Sequence, residues 1–187
     1  MMMKTMLLFS GLLFSLLATA QKDSTKKLNV KFTSINSIGL LEGEAGSAFH
    51  LQTINGVQYK TIFAGVGVGF DYYVLRTIPL FIDLRKYFCN KPQTPFIYAD
   101  AGMHFAWPGK ADNAQAKTHP GLYYDAGVGY RVPVKSNAII FTAGYAFKKY
   151  TQDETFTTWC LTPPCPESES HYELSLRRIA IKAGFSF

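Results

Sequence analysis

Residues 62–73 read Ile-Phe-Ala-Gly-Val-Gly-Val-Gly-Phe-Asp-Tyr-Tyr, and their alternation decides the fold. Ile62, Ala64, Val66, Val68 and Phe70 share one parity, and Gly65, Gly67, Gly69 and Asp71 share the other. A period of two belongs to a β-strand, whose successive side chains point to opposite faces. The three glycines resemble a nucleotide loop only superficially: the G-x-G-x-x-G spacing is missing and no helical pattern follows.

The same division recurs downstream. One face carries Ile78, Leu80, Ile82 and Leu84, then Ile97, Ala99, Ala101, Met103 and Phe105. It continues as Leu122, Tyr124, Ala126, Val128, Tyr130 and Val132, then Ile139, Phe141, Ala143, Tyr145 and Phe147, then Ile179, Ile181, Ala183, Phe185 and Phe187. None of these positions is charged. The opposite face holds glycines, Tyr98, His104, Thr142 and most of the charges. This pattern predicts eight strands, near 28–43, 47–54, 57–73, 76–88, 94–107, 121–134, 137–150 and 171–187. The first strand alternates poorly through Thr33, Ser34, Ile35 and Asn36, so its register is open. Ala-Gly pairs recur at 64–65, 101–102, 126–127, 143–144 and 183–184, always with the glycine on the polar face. Glycine on a concave face relieves crowding and lets a sheet coil into a small barrel.

Composition agrees with a two-faced sheet. Of the 187 residues, 48% are hydrophobic and 15% aromatic, but only 17% are charged. A disordered chain needs high charge and few aromatics, and a coiled coil needs Glu, Lys and Leu. A helical membrane bundle needs several apolar runs of about 20 residues. The one long apolar run is N-terminal, Met6–Leu17, between Lys4 and the small-residue sequence Ala18-Thr19-Ala20. That arrangement predicts a cleaved export signal over 1–20 and a mature domain over 21–187. The formal charge of +6 is scattered along the chain. A nucleic-acid binder concentrates its charge in a patch, so none is expected as a partner.

In an exported chain, Cys160 and Cys165 around Leu-Thr-Pro-Pro are expected to form a disulfide. Cys89 is left as a free or buried thiol, or one available to another chain.

Alternation alone leaves two architectures: a soluble barrel with the apolar set inward, or a transmembrane barrel with it outward. Glycines suit a tight lumen, and charges of both signs suit a paired interior. Aromatics gather at strand ends (Tyr72, Tyr73, Phe105, Trp107, Tyr123, Tyr124 and Tyr150), where interfacial girdles sit. Long connections are predicted at 108–120 and 151–170 on one side, where the first and third connections are short, with short turns on the other at Asn55-Gly56, a hairpin signal, and near 134–137, and a longer one around Cys89–Pro92. Outer-membrane barrels likewise have long loops on one side and short turns on the other.

The texture of Phe63–Tyr73, Ile78–Arg85 and Pro95–Gly102 resembles small eight-stranded outer-membrane barrels of the OmpA, OmpX and OmpW architecture. It is most similar to the porin-like or OmpA-like barrel-domain proteins of Bacteroidota. The resemblance implies an all-β, eight-stranded antiparallel transmembrane barrel in the bacterial outer membrane. It also implies contact with outer-membrane lipid and lipopolysaccharide, and handling by the barrel-assembly machinery. The ending Gly184-Phe185-Ser186-Phe187 is similar to the terminal signal that machinery reads. No cofactor, metal site or catalytic group is implied, and the extracellular ligand stays open.

The predicted lumen set is Asp71, Asp83, Arg85, Asp100, Asp125, Arg131, Lys148, Arg178 and Lys182. Four acids against five bases allow near-complete pairing, which buried charges require. Such a network either plugs a narrow barrel or lines a thin path for an ion or small solute. Some barrels of this size modify lipid A with a histidine and a hydroxyl or acid. Only His171 with Ser175, and His50 with Thr53, lie near enough in sequence, and neither makes a nucleophile arrangement. The aromatics of 155–159 offer a partner contact or, with the cysteines, a protease-resistant cap. A lumen role predicts that Arg85→Ala lowers the thermal unfolding temperature more than Lys110→Ala in the fifth connection. Equal unfolding of the two variants would refute that placement.

Overall fold

The computed structural model describes residues 30–107, 116–157 and 167–187. The predicted export signal, Lys110 and the Cys160–Cys165 pair lie outside them. Among the described residues, nine strands run as β1 (Val30–Gly43), β2 (Gly46–Tyr59), β3 (Ile62–Asp71), β4 (Thr77–Tyr87) and β5 (Thr94–Ala106), then β6 (Ala116–His119), β7 (Gly121–Val134), β8 (Asn137–Thr157) and β9 (Glu167–Ser186). All pairings are antiparallel, and β9 hydrogen-bonds to both β8 and β1. This closes a ring of eight strands; β6 lies outside it and, among the described residues, pairs with β8 alone. Beyond Ser186 the closure gains one more rung, with Ser34 N–H donating to Phe187 O (2.8 Å) and Phe187 N–H to Ser34 O (3.0 Å).

Parity sets inside and outside as the alternation predicts. Ile62, Val66, Leu80, Ile82, Leu84, Ile97, Met103, Val128, Phe141, Ile179 and Ile181 are exposed on the outer wall. Asp71, Asp83, Arg85, Asp100, Asp125, Lys148, Arg178 and Lys182 are buried inside. On β4 the outward column runs Ile78, Leu80, Ile82, Leu84, bracketed by Arg76 and Lys86. Those cations are separated by ~33 Å along the strand, which at a tilt of about 40° is ~25 Å of height, the thickness of a membrane barrel's apolar band. The fold is therefore an eight-stranded antiparallel transmembrane β-barrel.

Several boundaries differ from expectation. Asn55-Gly56 is not a turn: Asn55 pairs with Val66 and Gly56 with Gly65 inside the β2–β3 ladder. The hairpin closes five residues later at Lys60-Thr61, where Lys60 adopts φ +53°. Gly56 serves close packing instead, because a side chain there would strike the backbone of Ala64 and Gly65 and the ring of Phe63. The β7–β8 connection is also a two-residue turn, with Lys135 at φ +56°. Such left-handed corners match the twist of the joined strands.

The stretch expected as loop up to Pro120 contains β6. His119 pairs with Thr151 and Tyr123 with Lys148, so three residues, Pro120–Leu122, face two, Lys149 and Tyr150. Pro120 lacks an N–H and interrupts the strand as a bulge without ending it. Strands β8 and β9 are longer than predicted and pair as far as Thr157↔Glu167, whereas β1 stops at Gly43↔Arg178. A ribbon about 35 Å long therefore rises beyond the ring, with β6 alongside its base.

The lumen is narrow, and glycine makes room for rings. A Cβ on Gly129 would enter the Phe96 ring, and one on Gly67 the Phe81 ring. Replacing Gly129 by leucine should cost about 1–3 kcal/mol through overpacking. In a urea titration of vesicle-inserted protein, the Gly129→Leu midpoint should fall, whereas Val128→Leu on the lipid face should leave it nearly unchanged.

Candidate functional site

The side chains brought together by the ring form a stack of polar layers separated by aromatics. Asp71, at the end of β3, anchors the upper layer. It accepts from Arg178 Nη1 and from the Tyr73 N–H (2.8 Å), with Lys148 Nζ at 3.4 Å. Lys148 also donates to Tyr73 O (2.9 Å), Leu75 O (2.9 Å) and Thr77 Oγ1 (3.2 Å). One ammonium thus pins the β3–β4 connection across the barrel mouth. Tyr73 enters the lumen with its ring 5.4 Å from the Arg178 guanidinium, and its hydroxyl accepts from Ala45 N (2.7 Å). Val74 takes φ +59°, which turns the chain inward at this point.

Below lie His50, His104, Tyr123 and Phe81, all buried. His104 Nε2 bonds Lys149 O at 2.9 Å, and Tyr123 packs on Phe81 with ring centroids 5.5 Å apart. In the next layer Asp125 accepts from Lys182 Nζ (2.6 Å) and Tyr98 Oη (2.9 Å). Lys182 also reaches Gln52 Oε1 (3.3 Å) and lies 4.9 Å from the Tyr98 ring.

The lowest layer is Arg85 with Asp83, two residues apart on β4. Nε and Nη2 donate to the carboxylate at 2.9 and 2.8 Å. The guanidinium lies among Phe63, Phe96 and Tyr98, 5.4–5.9 Å from their centroids. Asp100 is the odd member: it stands between Asp83 and Asp125 in the cross-strand register, its side-chain hydrogen-bond partner is the Asp83 carboxyl, and no cation pairs with it among the described residues.

Eight of the nine predicted lumen residues are thus buried in the interior. Arg131 is only half-buried near the turn end, over Tyr87 (5.6 Å) and donating to Gln58 Oε1 (3.3 Å). Phe63, Phe81, Phe96, Tyr73, Tyr87 and Tyr123 also fill the interior, and the hydropathy-led face assignment omitted them. Counting in twos from the aspartates finds most of them: Phe81 precedes Asp83, Tyr73 follows Asp71 and Tyr123 precedes Asp125. For the same reason Tyr73, Tyr123 and Tyr150 do not belong to a girdle; each is at most 4% exposed. Tyr72, Phe105, Trp107 and Tyr124 are exposed on the outer wall, with Tyr124 stacked on Phe147 at 4.8 Å.

The enzyme candidates do not assemble. His50 points inward and Thr53 outward, and His171 engages Asp153 instead of Ser175. On the outer face of the β6–β8–β9 ribbon, Asp153 accepts from both His171 Nδ1 and His119 Nε2, the latter at 2.8 Å. These bonds hold the Asp153 carboxyl below the usual carboxylate range. Beside it Lys149 pairs with Glu173 at 2.8 Å and lowers the Glu173 pKa. Cys89 is exposed in the fourth connection, its N–H on Thr94 Oγ1 at 3.1 Å. Gly184 and Phe185 lie near the end of β9 on the closing seam, followed by Phe187.

No protein-family model matches the chain, and no curated protein is significantly similar in sequence. Among solved structures, it is similar to the N-terminal β-barrel domain of Pseudomonas aeruginosa OprF, with 13% identity over 83% of this chain and 97% of that one (TM-score 0.49). It is also similar to Neisserial surface protein A, with 15% identity over 84% and 97% (TM-score 0.49). A de novo designed transmembrane β-barrel matches with 16% identity over 83% and 95% (TM-score 0.38). The barrel itself rests on the closed ladder described above.

Because Asp71 faces two buried cations, Asp71→Ala should destabilise the barrel by about 3–5 kcal/mol. Adding Lys148→Met should restore part of that loss, read as the urea midpoint of vesicle-inserted protein.

Proposed function

We propose that this protein is an integral β-barrel of the bacterial outer membrane, with a structural or surface-interaction role and a lumen plugged by its layered ion pairs. The observation that carries the proposal is the pairing of an uncharged outer wall ~25 Å high with an interior whose charged side chains are at most 3% exposed. The Asp71–Arg178, Asp71–Lys148 and Asp125–Lys182 pairs, buried so completely, tie separate strands together across the lumen. A water-filled channel would leave them hydrated. On this reading the end with the long connections, the β8–β9 ribbon and the two-residue β1–β2 turn (44–45) faces outward, and the connections at 60–61, 88–93 and 135–136 face the periplasm. Residues 1–20 are the export signal, Cys160–Cys165 a disulfide of the outer loop, and Gly184, Phe185 and Phe187 the contact for the barrel-assembly machinery. The wall meets outer-membrane lipid and lipopolysaccharide, and the protein acts without catalysis or cofactor.

Membrane fractionation with unheated and boiled SDS gels tests this directly. The protein should sediment with outer membranes and migrate faster unheated. A periplasmic protein with no heat-dependent shift would overturn the proposal. In planar bilayers the barrel should stay electrically silent; steady unitary conductance would favour a narrow transport path instead.

A further inference from the structure

At the long-connection rim, the hydrogen-bond ladder between β3 and β4 is interrupted. Val68↔Leu80 and Asp71↔Thr77 are paired, but the two rungs between them, opposite Ile78 and Pro79, are missing from the ladder. Pro79 has no N–H to donate, so the ladder lacks hydrogen bonds there while the strands stay adjacent, with Pro79 Cγ 3.3 Å from where a Cβ on Gly69 would lie. Just above the gap lies a cavity of about 100 Å³ lined by Phe70, Asp71, Tyr72, Arg76, Thr77 and Trp107. At roughly 30 Å³ per water, it holds a group the size of a phosphate.

Its chemistry is one-sided. The Arg76 guanidinium lies 5.7 Å from the Tyr72 ring centroid, and no carboxylate pairs with it among the described residues. Asp71 lines the cavity, but its carboxylate is already held by Arg178, Lys148 and the Tyr73 N–H. Trp107 N–H donates to Arg76 O at 2.9 Å, and the Trp107 ring packs on Phe70 at 5.4 Å, so the aromatic wall and the cation are held together. Thr77 Oγ1 accepts from Lys148, and Arg76 is the one cation among the residues that line the cavity. A guanidinium fork matches phosphate geometry, and a ring beneath it strengthens the site.

We propose that this notch binds the headgroup phosphate of a membrane lipid. The lipid's acyl chains lie on the Ile78–Leu80–Ile82–Leu84 column directly below. Position selects a lipid over free phosphate: Arg76 sits where the apolar wall ends, at headgroup depth. The inference rests on the membrane reading above.

Native mass spectrometry from neutral detergent tests it, with lipid A, phosphatidylglycerol and inorganic phosphate as separate probes. Wild type should retain one lipid A or phosphatidylglycerol. Arg76→Ala should retain it at least about tenfold more weakly, the loss of a charged hydrogen bond. Arg76→Lys should be intermediate, and Lys135→Ala at the opposite rim should match wild type. Equal retention by Arg76→Ala would overturn the proposal, as would an equal loss in Lys135→Ala, which marks general charge attraction. Displacement by inorganic phosphate at matched concentration would also overturn it, in favour of a free-anion site. The heat-shift gel is run on every variant. If wild type shows no shift, the membrane reading itself has failed. If only Arg76→Ala lacks it, Trp107→Leu replaces that variant under the same criteria.

Discussion

In an apolar surround, a backbone N–H or C=O has no partner except another strand, and everything else in this barrel depends on meeting that demand. The β1–β9 ladder does so by joining the first and last ring strands from Ile35↔Ser186 to Gly43↔Arg178. Without that seam, two edges would face hydrocarbon with their polar groups unpaired. Above Arg178 the β9 edge has no neighbour but β8 among the described residues, and there the outward side chains turn polar: Arg177, Ser175, Glu173 and His171. The change of chemistry along one strand marks where lipid gives way to water.

Closing only eight strands leaves a lumen too small for a side chain at every inward position. The chain answers with glycines opposite rings, so that Phe96 lies over Gly129 and Phe81 over Gly67. The rings then separate the ion-pair layers and shield them. Asp71 is the most connected acid because it serves two functions. It balances Arg178 and Lys148, and through Lys148 it holds the β3–β4 connection in the mouth of the barrel. The interrupted ladder at Pro79 lies against the same layer, so the Arg76 notch is built on the rigid side of the rim.

Much of this architecture was legible in the sequence because a membrane barrel writes its two surroundings onto alternate residues. Ile62–Asp71 is enough to see it. The misread features share one cause, an assumption that a residue's usual role is its role here. Asn55-Gly56 has the chemistry of a turn, but Gly56 is needed where Phe63 crosses the backbone. Pro120 has the chemistry of a stop, but one missing N–H is absorbed by a bulge. Tyr73 and Tyr123 have the chemistry of a girdle, but their parity places them inside.

The sequence by itself determined the strand period, the uncharged wall, the charged and glycine-rich interior and the asymmetry of the connections. These depend on neighbours along the chain, and a period of two needs no knowledge of distant contacts. The tertiary structure alone decided which charges meet. Arg178 and Asp71 lie 107 residues apart and Lys182 and Asp125 57 apart, and only the ring's register makes them neighbours. It also decided that Asp83, Asp100 and Asp125 stand side by side on three strands, leaving Asp100 without a cation partner among the described residues. Pairing energy depends on distance in space, and that distance is set by closure of the sheet.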